Sequence, residues 1–219
     1  FYSVTGFGKL ISNENSNFFD YQLDGTIILL LIGYFLYLSI GFNLFVNSIF
    51  FFSGVILYFF LKKNNSKIKL KYLCLLTILI FSVLLISKTH EDFDLYHYFT
   101  IYEFFNNKLR IGIPLLNGYF VHSSHLTLNQ TLLILPVVGF KFIHLPIFII
   151  YLSTIGYFTL IAFSQKSKKE ELFFSILCIL VLLVKFNRLS EFGYDYVSQF
   201  ILLIVFHKIY FLYFDNAEI

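Results

Sequence analysis

The stretch GTIILLLIGYFLYLSIGFNLFVNSIFFFSGVILYFFL, residues 25–61, contains no charged residue and decides the fold of this chain. As one helix, rising about 1.5 Å per residue, it would reach roughly 55 Å. That is nearly twice the hydrocarbon core of a bilayer, which is about 30 Å thick. The GFN sequence at residues 41–43 supplies a break. It predicts two apolar helices, residues 25–41 and 44–61, each about one membrane thick.

The composition of the whole chain also favours a membrane protein. The chain is 58% hydrophobic and 13% charged, with a mean hydropathy of +0.78, against roughly 25% charged residues in ordinary soluble domains. So few polar residues cannot cover a water-soluble globule of this size. The net charge of +3 is too small and too scattered to indicate nucleic-acid binding. The sequence contains no methionine, so we expect it to be a fragment of a longer chain.

Further apolar runs predict one all-α domain over residues 1–219, a polytopic transmembrane bundle with interfacial helices in an outer loop. Residues 1–24 are interpreted as a loop that precedes the first span. Residues 126–140 are short for a span and contain Pro136, so they predict a half-length or interfacial helix. Beyond the first two, the predicted spans are 72–87, 142–163, 172–186 and 197–214.

Two lysine-rich loops predict the orientation. Residues 62–71 contain five lysines and residues 166–169 contain three. Because positive loops stay on the cytoplasmic side, both loops should be inside, with one outward and one return crossing between them. The polar regions 89–125 and 187–196 then lie together on the outer face.

The segment HEDFDLYHY, residues 90–98, concentrates acidic residues just after the third predicted span. As a helix it continues into an apolar stripe, as expected of a helix that lies on the membrane surface. That stripe consists of Leu95, Phe99, Tyr102 and Phe105. Asp94 and His97 become i,i+3 neighbours on another face. A carboxylate beside an imidazole is a workable general base, and Glu91 and Asp92 lie beside it. The alternative is solvated loop residues, because charge just outside a bilayer costs little.

Histidines and arginines gather in the same outer regions. His122 and His125 lie one turn apart in a helix, and with Asp94 they have the residue types of a zinc site. HxxH alone is a weak signal, so we expect hydrogen-bonding or interfacial histidines, with no metal and no cofactor. The only two arginines, Arg110 and Arg188, suit a lipid phosphate because Arg makes two parallel hydrogen bonds. Anchoring at the interface is the alternative.

The segment RLSEFGYD, residues 188–195, is the second polar region. Asp195 would either cap the following helix or contribute to an outer site. Because both regions are predicted on the same face, we expect their polar side chains to converge over one groove. That set is Asp94, His97, Arg110, Arg188 and Asp195.

Three of these motifs resemble an uncharacterised family of bacterial polytopic envelope membrane proteins. They are DLYH at residues 94–97, the serine pair at 123–124, and RxSxxGxD at 188–195. The family is similar in layout to GT-C glycosyltransferases and O-antigen-type polymerases, and the resemblance covers about residues 72–200.

The resemblance implies an enzyme of the bacterial inner membrane that takes sugar from a polyprenyl-phosphate carrier during envelope polysaccharide synthesis. Asp94 or Asp92 would be the base that activates an acceptor hydroxyl. Arg110 or Arg188 would hold the lipid phosphate.

Two other functions are compatible with the sequence. A transporter or flippase subunit predicts ionisable residues within the membrane, and the predicted spans contain almost none apart from His207 and Lys208. That scarcity favours chemistry at the outer face. A non-catalytic membrane scaffold is the third possibility.

Overall fold

The computed structural model describes residues 1–13, 16–61, 74, 77–78, 92–108, 112, 118, 125–137, 139–165, 167–191, 194 and 196–214. All regular structure in this part of the chain is helical, which confirms the all-α prediction. The helices are α1 (Tyr2–Ile11), α2 (Phe18–Ser39), α3 (Leu44–Phe60), α4 (Tyr98–Asn106), α5 (Leu126–Leu132), α6 (Leu145–Ala162), α7 (Lys169–Val184) and α8 (Val197–Phe214).

Two helical stretches among these residues are long and apolar enough to cross a membrane. They are Phe18–Ser39, with a mean hydropathy of 1.5, and Gly139–Ala162, with 1.9. Leu44–Phe60 and Val197–Phe211 are apolar but shorter. The predicted span 72–87 lies outside the described residues, apart from 74, 77 and 78.

Residues 1–24 are not the predicted loop, because they form α1 and the first turns of α2. The Asn17 side chain accepts hydrogen bonds from the backbone N–H groups of Phe19 (2.8 Å) and Asp20 (3.0 Å). In return the Asp20 carboxylate accepts the Asn17 N–H at 3.2 Å. This capping box starts α2 at Phe18. Asp20 and Asp24 lie before the uncharged run that begins at residue 25, but they are already part of the helix.

Helix α1 packs on α2 and α3 through glycines. A Cβ atom on Gly6 would lie 1.8 Å from the carbonyl oxygen of Gly54, and one on Gly8 would lie 1.7 Å from that of Tyr21. Such close backbone approach is typical of helices that associate in membranes. The Gly6-x-Gly8 pair is therefore a packing motif.

Lys9 ties the end of α1 to the end of α3. Its buried ammonium donates to the carbonyls of Tyr58 at 2.9 Å and Leu61 at 3.1 Å. These carbonyls belong to the last turn of α3, where no intrahelical N–H is available. Burial lowers the pKa of the Lys9 ammonium.

Helices α2 and α3 are separated at residues 41–43, where the sequence predicts the break. Gly41 has a φ of +79°, a conformation that glycine adopts without strain. The Asn43 side chain then accepts the Val46 N–H at 2.8 Å and caps the start of α3.

The half-length helix is shorter and more deeply buried than predicted. It spans Leu126–Leu132, and all of its residues are buried. The Asn47 amide donates to the carbonyls of Thr131 (2.8 Å) and Ile134 (2.9 Å) just where the helix ends. Asn129 donates to the Thr26 carbonyl at 3.1 Å. Helix α5 is therefore packed among α2, α4 and α6 and held to α3 by Asn47, rather than lying on a surface.

Polar side chains are buried inside the bundle beside its apolar core, and large apolar side chains also cover much of its outside. On α3 the buried residues are Asn47 and Gly54, whereas Phe45 is 75% exposed and Phe60 is 80% exposed. Ser153 on α6 is fully buried. The other exposed apolar side chains include Leu31 and Phe35 on α2, Phe173 and Val184 on α7, and Leu202 and Phe206 on α8. So many exposed large apolar side chains are unusual for a water-soluble protein.

Candidate functional site

The acidic segment forms a π-helical turn, Phe93–His97, that runs directly into α4. The turn closes with a hydrogen bond from the Tyr98 N–H to the Phe93 carbonyl. Beyond it, Ile101 is fully buried, whereas the predicted stripe residues Leu95, Phe99 and Tyr102 are exposed. Helix α4 is thus attached to the bundle by one face and presents an apolar stripe on the other.

Asp94 and His97 point into different surroundings. Asp94 is exposed and Asp92 is partly exposed, whereas His97 is 2% exposed. The reason is the wider π turn, in which i,i+3 residues no longer stack as they do in an α-helix. The turn therefore does not present Asp94 and His97 as the predicted pair on one face.

His97 instead joins the two polar regions that the sequence predicts on the outer face. Its ring meets that of Tyr194 edge-on, with centroids 4.5 Å apart and an interplanar angle of 75°. The neighbouring Tyr96 ring lies 4.1 Å from the imidazole, and Tyr194 is buried. We call this contact between His97 and Tyr194 the His97 junction. It brings the acidic turn and the second polar region together.

Arg188, the arginine of the second polar region, is fixed in place through its backbone carbonyl. Arg188 lies in a 3-10 turn, Phe186–Glu191, and the Tyr196 hydroxyl donates to its carbonyl. Leu189 anchors this turn in the core, while Arg188 itself is exposed. The guanidinium is therefore presented at the surface by the segment that carries Tyr194.

His125 makes a hydrogen bond at another helix contact. The Tyr34 hydroxyl lies 3.2 Å from its Nδ1 and 3.1 Å from its Nε2, and the two rings meet edge-on at 5.0 Å. Over the residues that the structure describes, no three His, Cys, Asp or Glu side chains gather as metal ligands. Four other candidate residues from the sequence analysis lie outside the part of the chain that the structure describes: Glu91, Arg110, His122 and Asp195.

A second group of ionisable side chains, which sequence reasoning missed, lies around the second half of α8, whereas the His97 junction lies near the start of that helix. His207 Nδ1 is 2.9 Å from the Tyr157 hydroxyl, and its Nε2 is 3.3 Å from Glu171 Oε1. Lys208 Nζ pairs with Asp20 Oδ1 at 2.8 Å. We call these five residues the His207 cluster. The signal available in the sequence was the interruption of an apolar run by His207 and Lys208.

Polar contacts also cross the middle of the bundle. The Ser153 hydroxyl donates to Gln22 Oε1 at 2.9 Å, and the Gln22 amide lies 3.4 Å from the Thr5 hydroxyl. A cleft nearby has a cavity volume of about 10 Å³ and is lined by residues that include Thr26 and Asn129. Pockets for small organic ligands usually measure about 300–1,000 Å³. This cleft is therefore too small for a sugar.

No protein-family model, curated protein sequence or solved structure matches this chain. The site is therefore interpreted from its own residues and their geometry.

Proposed function

We propose that the chain is an integral protein of the bacterial inner membrane, in which the span that the sequence predicts at residues 72–87 and the helices α2, α3, α6, α7 and α8 cross the bilayer. The proposal is supported by the apolar exterior of these helices and by the polar contacts between them. Lipid tails solvate apolar side chains, whereas buried polar groups must find partners inside the bundle. The glycine contacts of α1 favour the same environment.

The proposed orientation places the His97 junction outside and the His207 cluster inside. Lysine-rich segments follow α3 and α6 in the sequence, and such segments stay in the cytoplasm. The ion pairs fit this arrangement, because Asp20 and Glu171 begin α2 and α7 and both contact the inner part of α8. The Tyr34–His125 contact then falls near the outer end of α2.

We infer that the outer end transfers sugar from a polyprenyl-phosphate carrier, the type of reaction that GT-C glycosyltransferases and O-antigen-type polymerases perform. The His97 junction carries this inference, because it joins an acidic turn to an arginine segment beside a helix with an exposed apolar stripe. Such a stripe inserts at the boundary between headgroups and acyl chains. Asp94 would then lie at the depth of a carrier phosphate. π turns also recur at functional sites.

Each exposed side chain has a role in this proposal. The Asp94 carboxylate accepts a proton from the acceptor hydroxyl while that hydroxyl attacks the anomeric carbon of the sugar, and the bond from that carbon to the carrier phosphate breaks with its electrons leaving on the phosphate. The Arg188 guanidinium binds the carrier phosphate through parallel hydrogen bonds. His97 is a positioning residue that fixes the acidic turn against Tyr194. Asp92 is the alternative base.

The experiment is a transfer assay in membranes that contain the chain, with a radiolabelled polyprenyl-phosphate sugar as donor. Asp94→Asn and Asp92→Asn are compared with Glu170→Gln, an exposed acid at the other end of the bundle. We expect the Asp94→Asn membranes to lose transfer and the Glu170→Gln membranes to keep it. Unchanged transfer in both aspartate variants would contradict the assignment.

Transport of the lipid-linked sugar is the second candidate function, and α5 favours it. Half-length helices enclosed by a bundle are found at the substrate sites of transporters. Gln130 on α5 is buried with no hydrogen-bond partner among the described residues. A Gln130→Leu variant could lose the movement of the lipid-linked sugar across the vesicle membrane and still transfer sugar. That result would favour transport as the function.

A further inference from the structure

The His207 imidazole is enclosed by three helices and by aromatic rings. It is 3% exposed, and its centroid lies 5.0–6.0 Å from those of Phe158, Phe174 and Phe211. Polar contact is confined to its two nitrogens, which face Tyr157 on α6 and Glu171 on α7. The surroundings therefore combine an apolar wall with two directed partners.

Tyr157 can satisfy Nδ1 in both protonation states, whereas Nε2 lies 3.3 Å from the Glu171 carboxylate without an aligned hydrogen bond among the described residues. A carboxylate only accepts hydrogen bonds, so a hydrogen on Nε2 is the arrangement compatible with Glu171 beside it. When His207 is neutral, Nδ1 accepts from the Tyr157 hydroxyl. When it is protonated, Nδ1 donates to the Tyr157 oxygen. Neither state requires the side chain to leave its position.

Burial disfavours a charged imidazole, and the net charge of the cluster acts in the opposite direction. The groups facing His207 are Tyr157 from α6, Glu171 from α7 and Lys208 from α8 itself, and Lys208 is paired with Asp20 of α2. With both acids ionised and Lys208 protonated, a neutral imidazole leaves one net negative charge. An imidazolium makes the cluster neutral. An unbalanced charge is unfavourable in a poorly solvated site.

The site is close to water on one side. The Glu171 side chain is 23% exposed and that of Lys208 is 42% exposed. Glu171 lies in the first turn of α7, just after the polar connection from α6. A proton can therefore arrive through the exposed carboxylate and be held on the buried imidazole.

We propose that His207, Glu171 and Tyr157 form a proton-binding site that takes up one proton from the aqueous side near the α6–α7 connection. The proton comes from hydronium, which becomes water, and forms the second N–H bond of the imidazole. The site lies at the opposite end of α8 from the His97 junction. Its function does not depend on sugar transfer.

The test is a pH titration of the ¹⁵N-labelled histidines by NMR, with the full chain in lipid nanodiscs. The His207 signals are identified by their loss in His207→Gln. We expect these signals to change from neutral imidazole to imidazolium between about pH 9 and about pH 4. In Glu171→Gln the midpoint should move to lower pH by about one unit or more, because the carboxylate stabilises the charged ring.

Glu170→Gln is the matched control, because it removes an exposed carboxylate from the same helical turn. Its midpoint should equal that of the unsubstituted chain. An imidazole that does not titrate over this range, or a midpoint that is the same in Glu171→Gln and Glu170→Gln, would overturn the proposal. A midpoint that shifts when Na⁺ replaces choline at constant ionic strength would assign the site to a metal cation instead.

Discussion

His97 and His207 are both almost fully buried, yet their surroundings differ. His97 is packed against the rings of Tyr96 and Tyr194, and the acidic side chains near it in sequence remain exposed. His207 contacts a phenol and a carboxylate through its two nitrogens. Burial alone therefore does not assign a role to a histidine. In the functions proposed above, His97 positions the exposed side chains around it, whereas His207 is itself the group that binds a proton.

The largest expected effect is a loss of sugar transfer when a side chain near the His97 junction is changed. Asp94→Asn should lower sugar transfer roughly 100-fold or more, because a positioned general base is lost. The free energy of unfolding should change by less than about 0.5 kcal/mol, since the side chain is exposed. The measurements are the transfer assay and SDS-induced unfolding in mixed micelles. An Asp94→Asn protein that is unfolded would show a structural role and contradict this division.

A matched pair of tyrosine variants compares the two Tyr–His contacts. Tyr157→Phe removes the hydroxyl from the buried imidazole and should destabilise the protein by about 1–2 kcal/mol. Tyr34→Phe removes the hydroxyl that contacts the exposed His125 and should cost less than about 0.5 kcal/mol. Unfolding in mixed micelles measures both values. Equal effects would mean that enclosure does not strengthen the His207 contact.

The His97 junction predicts a smaller, pairwise effect. A double-mutant cycle of His97→Ala and Tyr194→Ala should give a coupling energy of about 0.5–1.5 kcal/mol for edge-on rings. The control cycle pairs His97→Ala with Tyr157→Phe at the other end of the bundle and should give additivity. Additive effects in the first cycle as well would show that the contact between His97 and Tyr194 does not stabilise the protein, and would contradict its role in joining the two polar regions.

A small effect is also expected at Lys208. Its side chain is 42% exposed, so the ion pair with Asp20 should contribute less than about 1 kcal/mol. Lys208→Gln should therefore be only slightly destabilised, and the difference should shrink as salt is added. A loss above about 2 kcal/mol that is insensitive to salt would place this pair in the buried part of the cluster.

Features coded by neighbouring residues were predictable from the sequence. The break at 41–43 follows from glycine and asparagine in one tripeptide, and the exposed stripe of α4 follows from helical periodicity. The loop prediction for residues 1–24 is wrong because polar residues were taken as the end of helical structure. There Asn17 and Asp20 form a capping box, and glycines bury α1 against its neighbours.

Features that depend on distant residues or on an unusual turn were not predictable. Asp20 and Lys208 are 188 residues apart, so neither reveals the other. Helical periodicity placed Asp94 beside His97, but the π turn separates them. The two outer polar regions were expected to converge, and the His97–Tyr194 contact supports that expectation for this pair of rings.

The central claim is that the two ends of the bundle face opposite sides of a membrane. Its most direct test is cysteine labelling in a background with Cys74 and Cys178 replaced by serine. Asn106→Cys lies at the end of α4, and Gln165→Cys lies between α6 and α7. A membrane-impermeant maleimide should label position 106 in intact cells and position 165 only after permeabilisation. Labelling of both positions in intact cells, or the reverse pattern, would contradict the account.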